Sequence, residues 1–184
     1  MNERYNLLYT AEQVDEQIAR IASEIIRDHR YDNPLFVGLL RGAAPFATKL
    51  MFEISQQAPD MHPDLDYMMI STYGSGRKAG EPRIVTDLAP TTQVKDRIAL
   101  VVDDVLEEAR TANHAFRHLQ SLGAKTTKLV VLAQKQVERA YPIEPDHCGF
   151  LAGHKWLVGM GMDDAQVAHE GYRWLDQIWE VKQD

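Results

Sequence analysis

Ile98-Ala-Leu-Val-Val-Asp-Asp-Val-Leu-Glu-Glu-Ala-Arg-Thr111 is the stretch that decides how the rest of the chain is read. Ile98 to Val102 is an unbroken apolar run without the alternation of a half-exposed strand, the pattern of a parallel strand covered on both faces. Polarity then flips at Asp103 and Asp104, which stand at the carboxyl end of that strand. From Thr111 onward Ala112, Ala115, Phe116, Leu119 and Leu122 recur at helical spacing until Gly123, which predicts a helix ended by glycine. In an open α/β sheet the ligand crevice lies outside the carboxyl ends of the strands, where a helix N-terminus offers free N–H groups to a phosphate. Two adjacent carboxylates at that place can hold a sugar diol or a magnesium ion while the following turn holds a phosphate.

Composition narrows the rest. A chain of 184 residues, 45% hydrophobic and 26% charged, suits one domain spanning 1–184 with a sizeable core. Its apolar runs are too short for a membrane span, and Met1 to Tyr9 has no apolar core of a secretory signal. The lone Cys148 can form no internal disulfide, which fits a cytoplasmic protein. With 27 acidic residues against 20 Lys and Arg the net charge is −7, so nucleic acid is not a favoured partner. A phosphorylated small molecule is compatible, given magnesium and a few local cations.

Thr10-Ala-Glu-Gln13 is a capping-box pattern, and Val14, Ile18, Ile21 and Ile25 follow at helical spacing to about Arg30. Asp32-Asn33-Pro34 breaks that helix, and Leu35 to Leu40 reads as a buried strand. Arg41-Gly42 comes next, before a helical stretch from Pro45 to Ile54; a glycine there lets backbone N–H groups approach an anion closely. Leu65 to Thr72 reads as a third strand. Tyr73 to Val94, broken by Gly74, Gly76, Gly80, Pro82 and Pro90, reads as a long connection, either a lid or a disordered excursion. Thr126 to Ala133 is a further buried strand ending in Gln134-Lys135. The seven histidines are scattered without zinc-ligand spacing, and no Ser-centred elbow or P-loop is present.

Asp103 to Thr111 resembles, position for position, the phosphoribosyl diphosphate (PRPP) motif of type I phosphoribosyltransferases, with Glu107 and Ala109 standing where the motif usually has Asp and Gly. Other segments extend the resemblance in order along the chain. Leu40-Arg41-Gly42 resembles the pyrophosphate loop, and Thr72-Tyr73-Gly74-Ser75-Gly76 the start of a mobile lid. Lys135 with Gly149-Phe150 fourteen residues on is similar to the base-binding pattern of hypoxanthine-guanine phosphoribosyltransferases. Lys155-Trp156-Leu157-Val158-Gly159-Met160-Gly161-Met162-Asp163 resembles the segment whose aromatic stacks on the purine, with Trp156, Leu157 and Asp163 in the functional places. Tyr172-Arg173-Trp174-Leu175 resembles the Tyr-Arg-x-Leu that brings an Arg to pyrophosphate, if about four extra residues are allowed between Asp164 and Gly171.

The resemblance implies an α/β fold with a mostly parallel central sheet flanked by helices, and a small hood over the base built from the N-terminal segment and about 145–184. It implies a purine salvage enzyme that moves 5-phosphoribosyl from PRPP to N9 of a 6-oxopurine, yielding IMP or GMP and pyrophosphate, with Mg²⁺ as cofactor and assembly as a homodimer or homotetramer. Asp103 and Asp104 would take the ribose hydroxyls and, with Asp163, the metal. Glu107 would accept a proton near N7. Glu108, Ala109, Arg110 and Thr111 would cup the 5-phosphate; Arg41, Gly42 and Arg173 would hold pyrophosphate; Thr72 and Tyr73 would open the lid. Lys135, Trp156 and Leu157 would bind the base. The rival expectations are a catalytically weakened relative that senses a purine nucleotide and an RNA-binding regulator on the same fold. The acidic balance, Lys135 and Trp156 speak against the second.

Overall fold

The capping box at Thr10 forms: its hydroxyl accepts the Gln13 N–H at 3.3 Å, and the Gln13 side chain accepts the Thr10 N–H at 2.9 Å. It starts α1 (Ala11–His29), whose stripe of Val14, Ile18, Ile21, Ala22 and Ile25 is fully buried. The structure, a computed structural model, describes residues 3–73, 79–168 and 170–182. After α1 come β2 (Leu35–Leu40), α2 (Ala43–Gln57), β3 (Asp64–Tyr73), β4 (Ala79–Thr86), β5 (Ile98–Leu106), α3 (Arg110–Ser121), β6 (Thr126–Lys135) and β7 (His147–Ala152). A short strand β1 (Tyr5–Tyr9) precedes α1, and β8 (Leu157–Val158) and β9 (Ile178–Val181) end the order.

Six strands form one sheet in the order β4-β3-β2-β5-β6-β7, parallel except for β4. The unbroken apolar run of β5 is explained by its two faces. Leu100 and Val102 point to the side of α1 and α2, against Ile21, Phe46 and Leu50, while Ala99 and Val101 point to the side of α3, against Ala115 and Leu119. Each of these is at most 0% exposed, so truncating Leu100 or Leu132 to Ala costs about 2–5 kcal/mol. Gly123, at φ +88°, ends α3, and Ala124 N–H returns to the Leu119 carbonyl at 3.0 Å.

Three departures from the sequence reading have physical causes. Tyr73 to Val94 is not one long connection, because β4 lies within it and pairs antiparallel with β3, Ile70 opposite Ile84 and Ser71 opposite Arg83. Gly80 and Pro82 suit an edge strand, where one side of the backbone needs no ladder partner. The N-terminal Tyr5-Asn-Leu-Leu-Tyr9 is a strand, and β1, β9 and β8 form a separate three-stranded antiparallel sheet in the order β1-β9-β8. β7 belongs to the large sheet, paired parallel with β6, so the segment around 147–152 is core and the smaller sheet draws on β1 and on strands that follow Ala152. Tyr9 stacks on Phe150 at 3.9 Å between ring centroids and ties the two sheets together. Among the described residues no helix is long and apolar enough to cross a membrane.

Candidate active site

β2 and β5 are neighbours, yet β2 leads through α2 to β3 on one side and β5 leads through α3 to β6 on the other. Their carboxyl ends therefore meet where the winding reverses, the place where open α/β sheets take ligands. Pairing between them stops at Gly38 opposite Val102, although β2 runs on to Leu40 and β5 to Leu106. The gap is a crevice of about 550 Å³ that brings Arg41, Gly42, Asp103, Asp104, Glu107 to Thr111 and Arg173 together.

Asp103 and Asp104 do not follow β5; they lie inside it, Asp103 opposite Val131 of β6. The hydrogen bonding to β6 continues past the apolar run because a backbone ladder is indifferent to side-chain polarity. Asp103 accepts the Asp104 N–H at 3.0 Å and Asp104 accepts the Val105 N–H at 2.8 Å. Burial raises Asp103 well above the usual carboxylate range, and the charge of Asp104 adds to the effect. Burial also raises Asp104, against the opposing pull of its N–H partners and Arg173. A Cβ on Gly42 would fall 2.6 Å from Asp104 Cγ, so only glycine lets the β2–α2 turn close against this carboxylate. The Leu40–Arg41 peptide leading into that turn is cis.

The turn after β5 carries Ala109 at φ +62°, ψ +14°, a left-handed conformation that costs a non-glycine residue on the order of 1–2 kcal/mol. This turn places the first N–H groups of α3 over the crevice with no preceding helical carbonyl to bond them. Glu108 is not left as bare charge beside them, since Arg110 Nε donates to its Oε2 at 2.5 Å.

A second cavity, about 160 Å³, opens beside the first and shares Asp104, Val105 and Glu107 with it. Lys135, at the end of β6 and 4% exposed, donates to Glu107 Oε1 at 3.2 Å, and its Nζ lies 5.3 Å from the Trp156 ring centroid. Trp156 is half exposed, and its Nε1–H donates to the Asp163 carbonyl at 2.6 Å, which fixes the plane of the indole. Leu157 and Met162 close the cavity floor from the hood side. Asp163 carries one carboxylate oxygen 3.1 Å from Arg173 Nη2.

Arg173 is nearly buried and is held by Asp163, by the Gly161 carbonyl and by Glu170. Arg41 donates to the other oxygen of Glu170. Gly161, at φ +105°, packs its backbone on the Gly42 carbonyl more closely than any side chain would allow, which sets the Arg173 segment against the β2–α2 turn. Of the residues expected at the site, Thr72 and Tyr73 are the last two of β3, and Ile70 on the same strand lines the crevice. Gly74 to Gly76, the rest of the expected lid, lie outside the described residues. Glu170, Ile70 and Met162 were not legible as site residues; the acidic residue three before Arg173 was the one available signal.

The fit of a magnesium ion follows from charge. Two adjacent enclosed carboxylates raised above their usual range are a site of uncompensated negative charge, which a hard cation relieves. Among the described residues no three His, Cys, Asp or Glu side chains converge on one point. Asp103 and Asp104 would therefore supply two ligand groups, with water and phosphate oxygens completing the shell as Mg²⁺ prefers.

Comparison with known proteins gives the same picture. The phosphoribosyl transferase domain family matches residues 5–165. The hypoxanthine-guanine phosphoribosyltransferase of Lactococcus lactis is 32% identical over 177 residues, 96% of this chain and 90% of that protein. The bifunctional protein TilS/HprT of Listeria monocytogenes is 33% identical over 182 residues, 98% of this chain, and the chain spans 26% of that relative's length. The crystal structure of a hypoxanthine phosphoribosyltransferase from Staphylococcus aureus superposes with a TM-score of 0.84 at 28% identity, covering 96% of this chain and 91% of that one. A crevice at the reversal of the sheet, two carboxylates and a helix N-terminus in it, and these matches over almost the whole length place the chain in the phosphoribosyltransferase family, among its hypoxanthine-guanine members.

Proposed function

We propose that the chain transfers 5-phosphoribosyl from PRPP to N9 of a 6-oxopurine, hypoxanthine or guanine, in cytoplasmic purine salvage. The observation that carries this reading is the Lys135–Glu107 pair beside Trp156. A 6-oxopurine presents a carbonyl acceptor and, in its N7–H form, a donor on adjacent positions of one edge. An ammonium and a carboxylate 3.2 Å apart are the matching donor and acceptor, next to an indole face on which the ring can stack.

In this reading Lys135 donates to the 6-oxo group and Glu107 accepts the N7 proton as N9 bonds to C1 of the ribose. The C1–oxygen bond to diphosphate breaks, and its electron pair leaves with pyrophosphate toward Arg41 and Arg173. Asp103 and Asp104 hold the ribose hydroxyls and face the positive charge that develops on the sugar ring. The N–H groups from Ala109 to Thr111 hold the 5-phosphate. Mg²⁺, bound by the two Asp side chains, would neutralise diphosphate charge. Homodimer or homotetramer formation belongs to the proposal, and the exposed Phe52, Leu151 and Trp174 offer apolar surface for it.

The Glu at 107 is one methylene longer than the family's Asp, and its Oε1 accepts from the Lys135 ammonium at 3.2 Å. Titrating PRPP with Mg²⁺, then GMP, into the protein by calorimetry tests the reading. Saturable binding of both is expected; GMP binding with no PRPP binding would favour the nucleotide sensor instead.

Ala109→Gly is expected to relieve the left-handed strain, worth on the order of 1–2 kcal/mol. Part of that gain is offset by the greater freedom of glycine in the unfolded chain. A rise in melting temperature and a several-fold tighter PRPP affinity are expected from scanning calorimetry and titration. Arg110→Ala, which frees Glu108 beside the phosphate site, is expected to weaken PRPP several-fold through like-charge repulsion. Unchanged PRPP affinity in both variants would mean that this turn does not hold the phosphate.

A further inference from the structure

Glu170 stands in the loop that is about four residues longer than the family pattern, between Asp164 and Gly171. Each of its two carboxylate oxygens receives a different guanidinium, Oε1 from Arg41 and Oε2 from Arg173. Those are the two cations at the diphosphate end of the crevice, and both line it, whereas Glu170 does not. The carboxylate thus sits behind the arginines. Its own proton affinity is lowered chiefly by the Arg173 hydrogen bond, so it is ionised near neutral pH.

The two arginines need this in different degrees. Arg173 has further anchors in Asp163 and the Gly161 carbonyl. Arg41 is half exposed, on a long side chain with many rotamers, and among the described residues the one side chain its guanidinium pairs with is Glu170. Two guanidiniums brought side by side also repel, and a carboxylate bridging them removes that cost.

We propose that Glu170 is a positioning residue that clamps Arg41 to Arg173 and so presents a preformed two-arginine site to the diphosphate of PRPP and to released pyrophosphate. The inference rests on the transferase reading above. Preorganisation raises affinity by removing the cost of immobilising Arg41 when the anion arrives, and for one long side chain this is worth roughly tenfold.

The alternative is that Glu170 competes with the diphosphate for the arginines. The two differ in sign. In Glu170→Gln the amide presents N–H groups to one arginine and breaks the clamp at nearly constant shape. Calorimetric titration with magnesium pyrophosphate, and with PRPP, is expected to show affinity falling roughly tenfold, with GMP affinity and melting temperature nearly unchanged. GMP has no diphosphate, so its retained binding reports an intact fold and base site. In an Arg41→Ala background the same substitution is expected to add little, because its effect runs through Arg41. Tighter pyrophosphate binding by Glu170→Gln would overturn the clamp in favour of competition, and unchanged binding would overturn both. Failure of the unsubstituted protein to bind PRPP or pyrophosphate at all would instead overturn the transferase reading and the clamp with it.

Discussion

Asp104→Asn is expected to remove most turnover while leaving the melting temperature equal to or a few degrees above that of the unsubstituted protein. Asp103 and Asp104 are adjacent, enclosed and raised above the usual carboxylate range, first by burial and, for Asp103, also by the neighbouring charge. Among groups whose folded pKa lies above the unfolded value, the folded state binds the proton more tightly. Their contribution is therefore most favourable below the unfolded pKa, near 3.8, and is lost as pH rises toward the folded value. At neutral pH the pair destabilises the fold, and an amide of the same shape relieves it. Loss of activity with gain of stability is the mark of a residue kept for function. Steady-state rates and thermal melts at pH 4 and pH 7.5 check this: the stability gain is expected at the higher pH and to shrink at the lower. Collapse of the melting temperature at neutral pH, with activity retained in the folded fraction, would assign the two residues a structural role.

Lys135→Ala is expected to lower kcat/KM for the purine base by roughly 10- to 150-fold, the equivalent of about 1.5–3 kcal/mol for a hydrogen bond from a charged donor. PRPP affinity is expected to stay within about twofold, because Lys135 lines the smaller cavity and not the larger crevice proposed to take the phosphates. Paired titrations of PRPP and GMP into the variant separate the two sites. Equal losses for both ligands would mean that Lys135 supports the β6 terminus generally and does not read the base.

The parts of this site legible in the sequence are those that one strand and its following turn bring together. Ile98 to Thr111 could be read because a doubly buried parallel strand needs an unbroken apolar run, and the change to Asp-Asp is abrupt. Arg41-Gly42 and Lys135 could be placed because each follows such a run. What could not be read depends on distant pairing. β1 and β9 come from opposite ends of the chain and join with few buried residues, so neither carries a strong local pattern. β4 was hidden by Gly80 and Pro82, which an edge strand tolerates and a central one does not. The left-handed Ala109 is invisible locally, since alanine favours helix; only its position in the motif pointed to a strained turn. Glu170 owes its place to the fold of a loop that brings it behind two arginines far apart in sequence.

The Lys135–Glu107 pair also explains why a longer acid at position 107 need not disable the site. The Glu107 carboxylate accepts from the Lys135 ammonium at the end of β6, and in the proposed reading these two groups face the purine edge across the smaller cavity they line. The cost of misplacement that a longer side chain can bring, up to about a hundredfold in rate for 1 Å, applies only if that reach takes it away from N7.

The most direct measurement is turnover. The purified protein is incubated with PRPP, Mg²⁺ and hypoxanthine, guanine or xanthine in turn, and nucleotide and pyrophosphate are quantified together. Hypoxanthine or guanine is expected to be converted to its nucleotide with one pyrophosphate released per nucleotide formed, and Asp104→Asn is expected to remove both products together. Absence of nucleotide with every base, from protein that still binds PRPP and GMP, would contradict the transferase reading.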